Sequence, residues 1–123
     1  MHFCYVKLPV GSALADREGV FHEGLEAALG QERAGFVLGW GDSLSTRKPG
    51  RSARVAFHRI DIEVKDVEVA RALLQRTLAA LDAPMGTEIH YTVDGTALQD
   101  VFGSGGWRTE PRSTTAQRPG GPA

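Results

Sequence analysis

The stretch that most constrains this chain is residues 55–81, where a strand pattern runs directly into a helix pattern. Val55 to Lys65 is rich in β-branched and aromatic residues, and its second half alternates apolar with polar side chains. That is the period of a strand with one buried face. Asp66 then supplies a favoured helix N-cap. After it, Ala70, Leu73, Leu74, Thr77, Leu78 and Leu81 recur at helical spacing over 67–81. A helix with one apolar stripe has to lay that stripe on another layer, here a sheet.

The rest of the chain can be placed around this pair. Residues 3–8 alternate as a short strand stopped by Pro9 and Gly11, with Cys4, Val6 and Leu8 on one face and Phe3, Tyr5 and Lys7 on the other. Residues 13–29 carry Val20, Phe21, Leu25, Ala28 and Leu29 on one helical face. Asp16 and Glu18 near its start suit the helix dipole, and Gly30 is a natural stop. Gly19 and Gly24 each cost that helix about 1 kcal/mol relative to Ala. Residues 35–41 read as a strand whose glycines signal a bulge or a close backbone approach. A loop over 42–54 follows, and Thr87 to Val93 forms a further strand. Asp94-Gly95 is a strong hairpin signal, because a type I′ turn needs positive φ at both central residues. It returns the chain as a fifth, edge strand over Thr96 to Phe102.

The order is β-α-β-β-α-β with one extra strand. This is the split βαβ, or ferredoxin-like, α+β plan, a mainly antiparallel sheet with both helices on one face and strands 1 and 3 at its centre. The expected core is Cys4, Val6, Leu8, Ile60, Ile62, Val64, Ile89, Tyr91 and Val93 together with the two helix stripes. A single domain is expected over 1–106. Residues 107–123 are rich in Gly, Pro, Ser, Thr and Arg, and a disordered or loosely attached tail is expected there. Trp107 is the one large apolar side chain in that segment able to fold back.

Composition then narrows the function. A chain of 123 residues with 41% hydrophobic and 24% charged residues is ordinary for one globular domain. The net charge of −1 gives no bulk electrostatic case for nucleic acid or a membrane. Cys4 is the only cysteine, which excludes an intrachain disulfide and fits a reducing, cytoplasmic setting. No stretch reads as a signal peptide or a membrane span.

The expected binding surface is the helix-free sheet face. Alternation places Phe3, Tyr5, Lys7, Val55, Phe57, Arg59, Asp61, Glu63 and His90 there. Of these, Tyr5, Phe57, Arg59, Asp61 and His90 form the candidate contact set. An uncovered aromatic cluster of this kind marks an interface. The partner is another protein or a second copy of the chain. In a dimeric α+β barrel two such faces enclose a cavity for a substrate or small ligand, lined by Trp40, Tyr5, Phe57, Arg59 and His90. Base stacking is disfavoured, because Arg54-Val55-Ala56-Phe57-His58 departs from the aromatic motif of RNA-recognition domains. The ordinary alternative is that the C-terminal segment covers this face.

A second candidate is the basic loop. Arg47, Lys48 and Arg51 lie close together beside Arg54 and several hydroxyl residues, a set that can grip phosphate or acidic groups or simply be solvated. Asp61, Glu63, Asp66 and Glu68 read as capping and pairing residues. His2, His22, His58 and His90 lack the short spacing of zinc motifs, so no metal site is expected. Parity puts His58 in the core and His90 on the open face. Gly39-Trp40-Gly41 and Gly103-Ser104-Gly105-Gly106 do not lead into helices, as phosphate cradles do. No cofactor and no catalytic constellation is indicated, and the question of enzymatic activity stays open.

Overall fold

A computed structural model describes residues 1–11, 16–45 and 54–111. The order is β1 (His2–Pro9), α1 (Glu18–Gln31), β2 (Gly35–Ser45), β3 (Arg54–Val64), α2 (Val67–Ala80), β4 (Glu88–Val93), β5 (Thr96–Gly103) and β6 (Gly106–Pro111). The strands form one antiparallel sheet in the order β2-β3-β1-β4-β5-β6. Its first four members are the expected split βαβ arrangement, with β1 and β3 central. The sheet departs from the four-strand plan by two strands added beyond β4.

The second helix forms where its cap and stripe direct, whereas α1 spans Glu18–Gln31 instead of 13–29: its N-cap Arg17 makes no side-chain capping hydrogen bond, and Gly30 lies inside the helix and does not end it. Asp66 accepts a hydrogen bond from the Val69 amide at 3.0 Å, closing the first turn of α2. Ala70, Leu73, Leu74 and Leu78 from α2 and Phe21, Leu25 and Leu29 from α1 are buried against Cys4, Val6, Leu8, Ile60, Ile62, Val64, Ile89 and Tyr91. Burial contributes about 1.5–3 kcal/mol for each large aliphatic or aromatic side chain. Val20 was expected on this stripe but is 45% exposed, since one residue along a helix turns by about 100°. Val93, at the hairpin end of β4, is only partly buried. Burial pushes the Cys4 thiol up to about 12, so it is held as the unreactive thiol.

The glycines have specific causes. A Cβ on Gly24 would lie 2.6 Å from Leu81 Cδ1, where the two helices meet. A Cβ on Gly35 would lie 2.1 Å from the Glu63 carbonyl oxygen, so β2 can approach β3 only with glycine there. The expected bulge is also present. Val37 pairs with Ile62 and Gly39 with Asp61, leaving Leu38 as an extra residue. Asp94 and Gly95 have φ of 50° and 80°, the hairpin backbone expected of that pair.

The C-terminal boundary is corrected. Residues 106–111 form a sixth strand and β5 is not the edge. A second tight turn, with Gly106 at φ 103°, reverses the chain after Gly103. Phe102 and Trp107 then pack ring to ring at 4.9 Å, and Thr109 donates a hydrogen bond to Asp100 at 2.7 Å. Asp100 also binds Arg71 and Gln75 of α2. Trp107 therefore lies on the helix side and does not cover the opposite face. Among the described residues, no helix is long and apolar enough to cross a membrane.

Candidate functional site

Pairing register maps the helix-free face row by row. Glu63 lies between Phe36 and Phe3; Asp61 lies between Gly39 and Tyr5; Arg59 lies between Gly41 and Lys7. The second row continues from Tyr5 to His90 and Gln99. The Arg59 guanidinium sits 3.8 Å from the Tyr5 ring centre and donates to Asp61 at 2.6 Å. The Lys7 ammonium sits 4.0 Å from the centre of Phe57. Cations over ring faces make this surface amphipathic rather than greasy. Tyr5, Phe57, Arg59 and Asp61 are half-buried and lie on one face, as alternation requires.

His90 is on that face but 2% exposed, stacked beneath Tyr5 at 4.6 Å. It supports the Tyr5 ring from below. Its Nε2 meets Glu88 at 2.7 Å, and its Nδ1 has no hydrogen-bond partner among the described residues. Gly39 and Gly41 present no side chains, which leaves a hollow of about 360 Å³ beside Arg59 and Asp61. Arg47, Lys48 and Arg51 lie outside the described residues. The acidic residues Asp61, Asp66 and Glu68 do not converge. They bind Arg59, the α2 amide and Arg71 respectively.

A second constellation, unforeseen in the sequence, sits on the helix side at the β2 edge. Its origin is the Leu38 bulge. One extra residue inverts the facing of everything after it, so Trp40 pairs with Ile60 and Asp42 with His58 on the helix side. Glu18 and His22, four residues apart on α1, project from one helical face towards them. His58 is 3% exposed. Its Nδ1 lies 3.0 Å from Asp42 and 3.7 Å from Glu18, and its Nε2 lies 2.6 Å from His22 Nε2. Trp40 stacks on His22 at 4.0 Å. His22 is held below the ordinary imidazole range by partial burial and then by His58, against the opposing pull of Glu18 and Glu23. His58 and His90 stay on opposite faces, as parity dictates. The signal that could have found this cluster was the Glu18/His22 spacing combined with a histidine at a core position of β3.

Neither the open face nor the histidine cluster has a precedent to lend it a role: no protein-family model, curated protein or solved structure matches the chain.

Proposed function

We propose that this chain is a protein-binding domain that works through the helix-free face of its sheet, and that the occupant is a second copy of itself. The observation that carries this reading is the order of charge along the face. The Asp61–Tyr5 row and the Arg59–Lys7 row are neighbours across the same three strands. A two-fold axis running between them would set Asp61 opposite Arg59 of the second copy and Tyr5 opposite Lys7. Opposed potentials of this kind fix register between partners. Size agrees: six strands about 4.8 Å apart and about eight residues long present roughly 700 Å², close to the ~800 Å² per partner of a standard interface.

Such a pairing would also close over the hollow at Gly39 and Gly41. Its volume of about 360 Å³ falls within the range of small-molecule sites, about 300–1,000 Å³. That observation favours, as a second reading, a dimeric α+β barrel holding a small ligand or substrate against Arg59 and Asp61.

Light scattering on the size-exclusion peak tests the proposal. The expected wild-type mass at tens of micromolar is that of a dimer. Tyr5→Ser combined with Phe57→Ser should return a monomer with unchanged circular dichroism. A monomeric wild-type chain, or a double variant that still dimerises, would remove the proposed surface.

A further inference from the structure

We propose that Glu18, Asp42 and His58 form a binding site for a divalent first-row transition-metal ion, with His22 positioning the imidazole ligand. The site lies on the helix side of the sheet and does not depend on the open-face reading.

Ions of this class hold nitrogen and carboxylate oxygen at about 2.0–2.2 Å, which places neighbouring ligand atoms roughly 3.0–3.4 Å apart. The observed separations from His58 Nδ1 are 3.0 Å to Asp42 and 3.7 Å to Glu18. All three ligand atoms lie within 4.8 Å of one another. The two carboxylate side chains are about half exposed, 51% and 46%, and can adjust, while the imidazole is fixed in the core.

The hydrogen-bonding arithmetic points the same way. A neutral imidazole has one N–H. If Nδ1 carries it, it can serve Asp42 well, but Glu18 is drawn to the same point as a second negative charge. Two carboxylates gathered on one nitrogen repel each other, and a dication between the three groups turns that repulsion into coordination. Imidazole in the set selects against calcium and magnesium, which take oxygen ligands.

The second layer is already built. With Nδ1 on the ion, the His58 proton must reside on Nε2, which points at His22 Nε2 only 2.6 Å away. Metal-bound histidines characteristically donate their other N–H to a hydrogen-bond acceptor, and the unprotonated ring nitrogen of a neutral His22 supplies one here. Trp40, stacked at 4.0 Å with an interplanar angle of 19°, holds the His22 ring in place. His22 thus fixes the tautomer of the ligand without touching the ion. Three protein ligands leave at least one coordination position towards solvent, the layout of a reactive site rather than a closed structural one.

The test uses the full chain, stripped with EDTA and dialysed. Calorimetric titration with Zn²⁺ should give one ion per chain at micromolar or better affinity, and Co²⁺ should give visible absorption bands from the nitrogen–oxygen set. Glu18→Gln and Asp42→Asn should each weaken Zn²⁺ at least tenfold. His22→Gln should weaken it about tenfold, as loss of an outer-shell partner does, and should perturb the Co²⁺ spectrum without abolishing it. All three positions are exposed or half-exposed, and circular dichroism checks that each variant remains folded. Absence of stoichiometric binding below about 100 μM would overturn the assignment. So would Zn²⁺ binding undiminished in the Glu18→Gln/Asp42→Asn double variant, which would place the ion elsewhere.

Discussion

Among the described residues, the helix side of the sheet holds two polar hubs, and they are built in opposite ways. At the β5 end a carboxylate is buried among donors. At the β2 end an imidazole is buried among carboxylates. Asp100 is fully buried and receives Arg71 Nε at 2.9 Å, Arg71 Nη2 at 3.1 Å, Gln75 at 2.8 Å, Tyr91 OH at 2.6 Å and Thr109 at 2.7 Å. Its charge is met from every side, and the donors come from α2, β4 and β6. This hub is a fastener, joining the two added strands to the second helix. His58, by contrast, reaches two acids that are half in solvent. A satisfied hub rigidifies a fold, while an incompletely matched one at a surface opening is where a ligand has something to gain.

The largest difference should appear on deleting the two acids. Asp100→Ala removes the fully buried carboxylate that five hydrogen bonds converge on, leaving the half-buried Arg71 with Glu68 and Thr109 alone and depriving Gln75, Tyr91 and Thr109 of their shared acceptor; this should cost about 3 kcal/mol, read as a lowered urea midpoint. The same change should expose β5 and β6 amides to hydrogen exchange before those of β1 and β3. An effect under about 1 kcal/mol would mean that the β5 hub is as open as the other.

Next in size is the pH window of the fastener. Burial pushes the Asp100 carboxyl up, but hydrogen bonds from Arg71, Tyr91, Thr109 and Gln75 outweigh it and hold the group below its ordinary 3.8. A depressed folded value means stability present above 3.8 and lost as pH falls through the lower, folded value. Tyr91 runs the other way. Burial and then Asp100 push its phenol from 10.0 up to about 12. Its contribution is therefore complete below 10 and lost as pH rises from 10 towards 12. Unfolding midpoints measured from pH 2 to 12 should fall at both ends, and Tyr91→Phe should remove the alkaline fall while keeping the acid one.

The smallest effect belongs to the other hub. Asp42→Asn in the metal-free chain should change stability by less than about 1 kcal/mol, because a half-exposed pair is screened by solvent. A loss as large as that of Asp100→Ala would show that His58 is fastened in the same manner, and the contrast between the hubs would fail.

Much of the fold was legible in the residues. Alternation in β1, β3 and β4 separated the two sheet faces, the Asp66 cap and leucine stripe located α2, and Asp94-Gly95 announced its hairpin. Each is a local pattern repeated over enough residues to override its neighbours. β6 was not legible, because Gly106 to Pro111 has one large apolar side chain. Its order comes from pairing with β5 and from Asp100, partners that a composition cannot display. Tyr5, Phe57, Arg59 and Asp61 were placed on their face by parity alone, but the burial of His90 under Tyr5 needed the ring positions.

By itself, then, the sequence determined which side chains could share a face, since period and cap chemistry are properties of short segments. Only the tertiary structure decided what those faces meet. The one extra residue at Leu38 turns Trp40 and Asp42 from the open side to the helix side. There they encounter a helix whose Glu18 and His22 lie far away in sequence from His58. Convergence of this kind depends on the register and crossing of separate elements, a long-range quantity that no local pattern encodes.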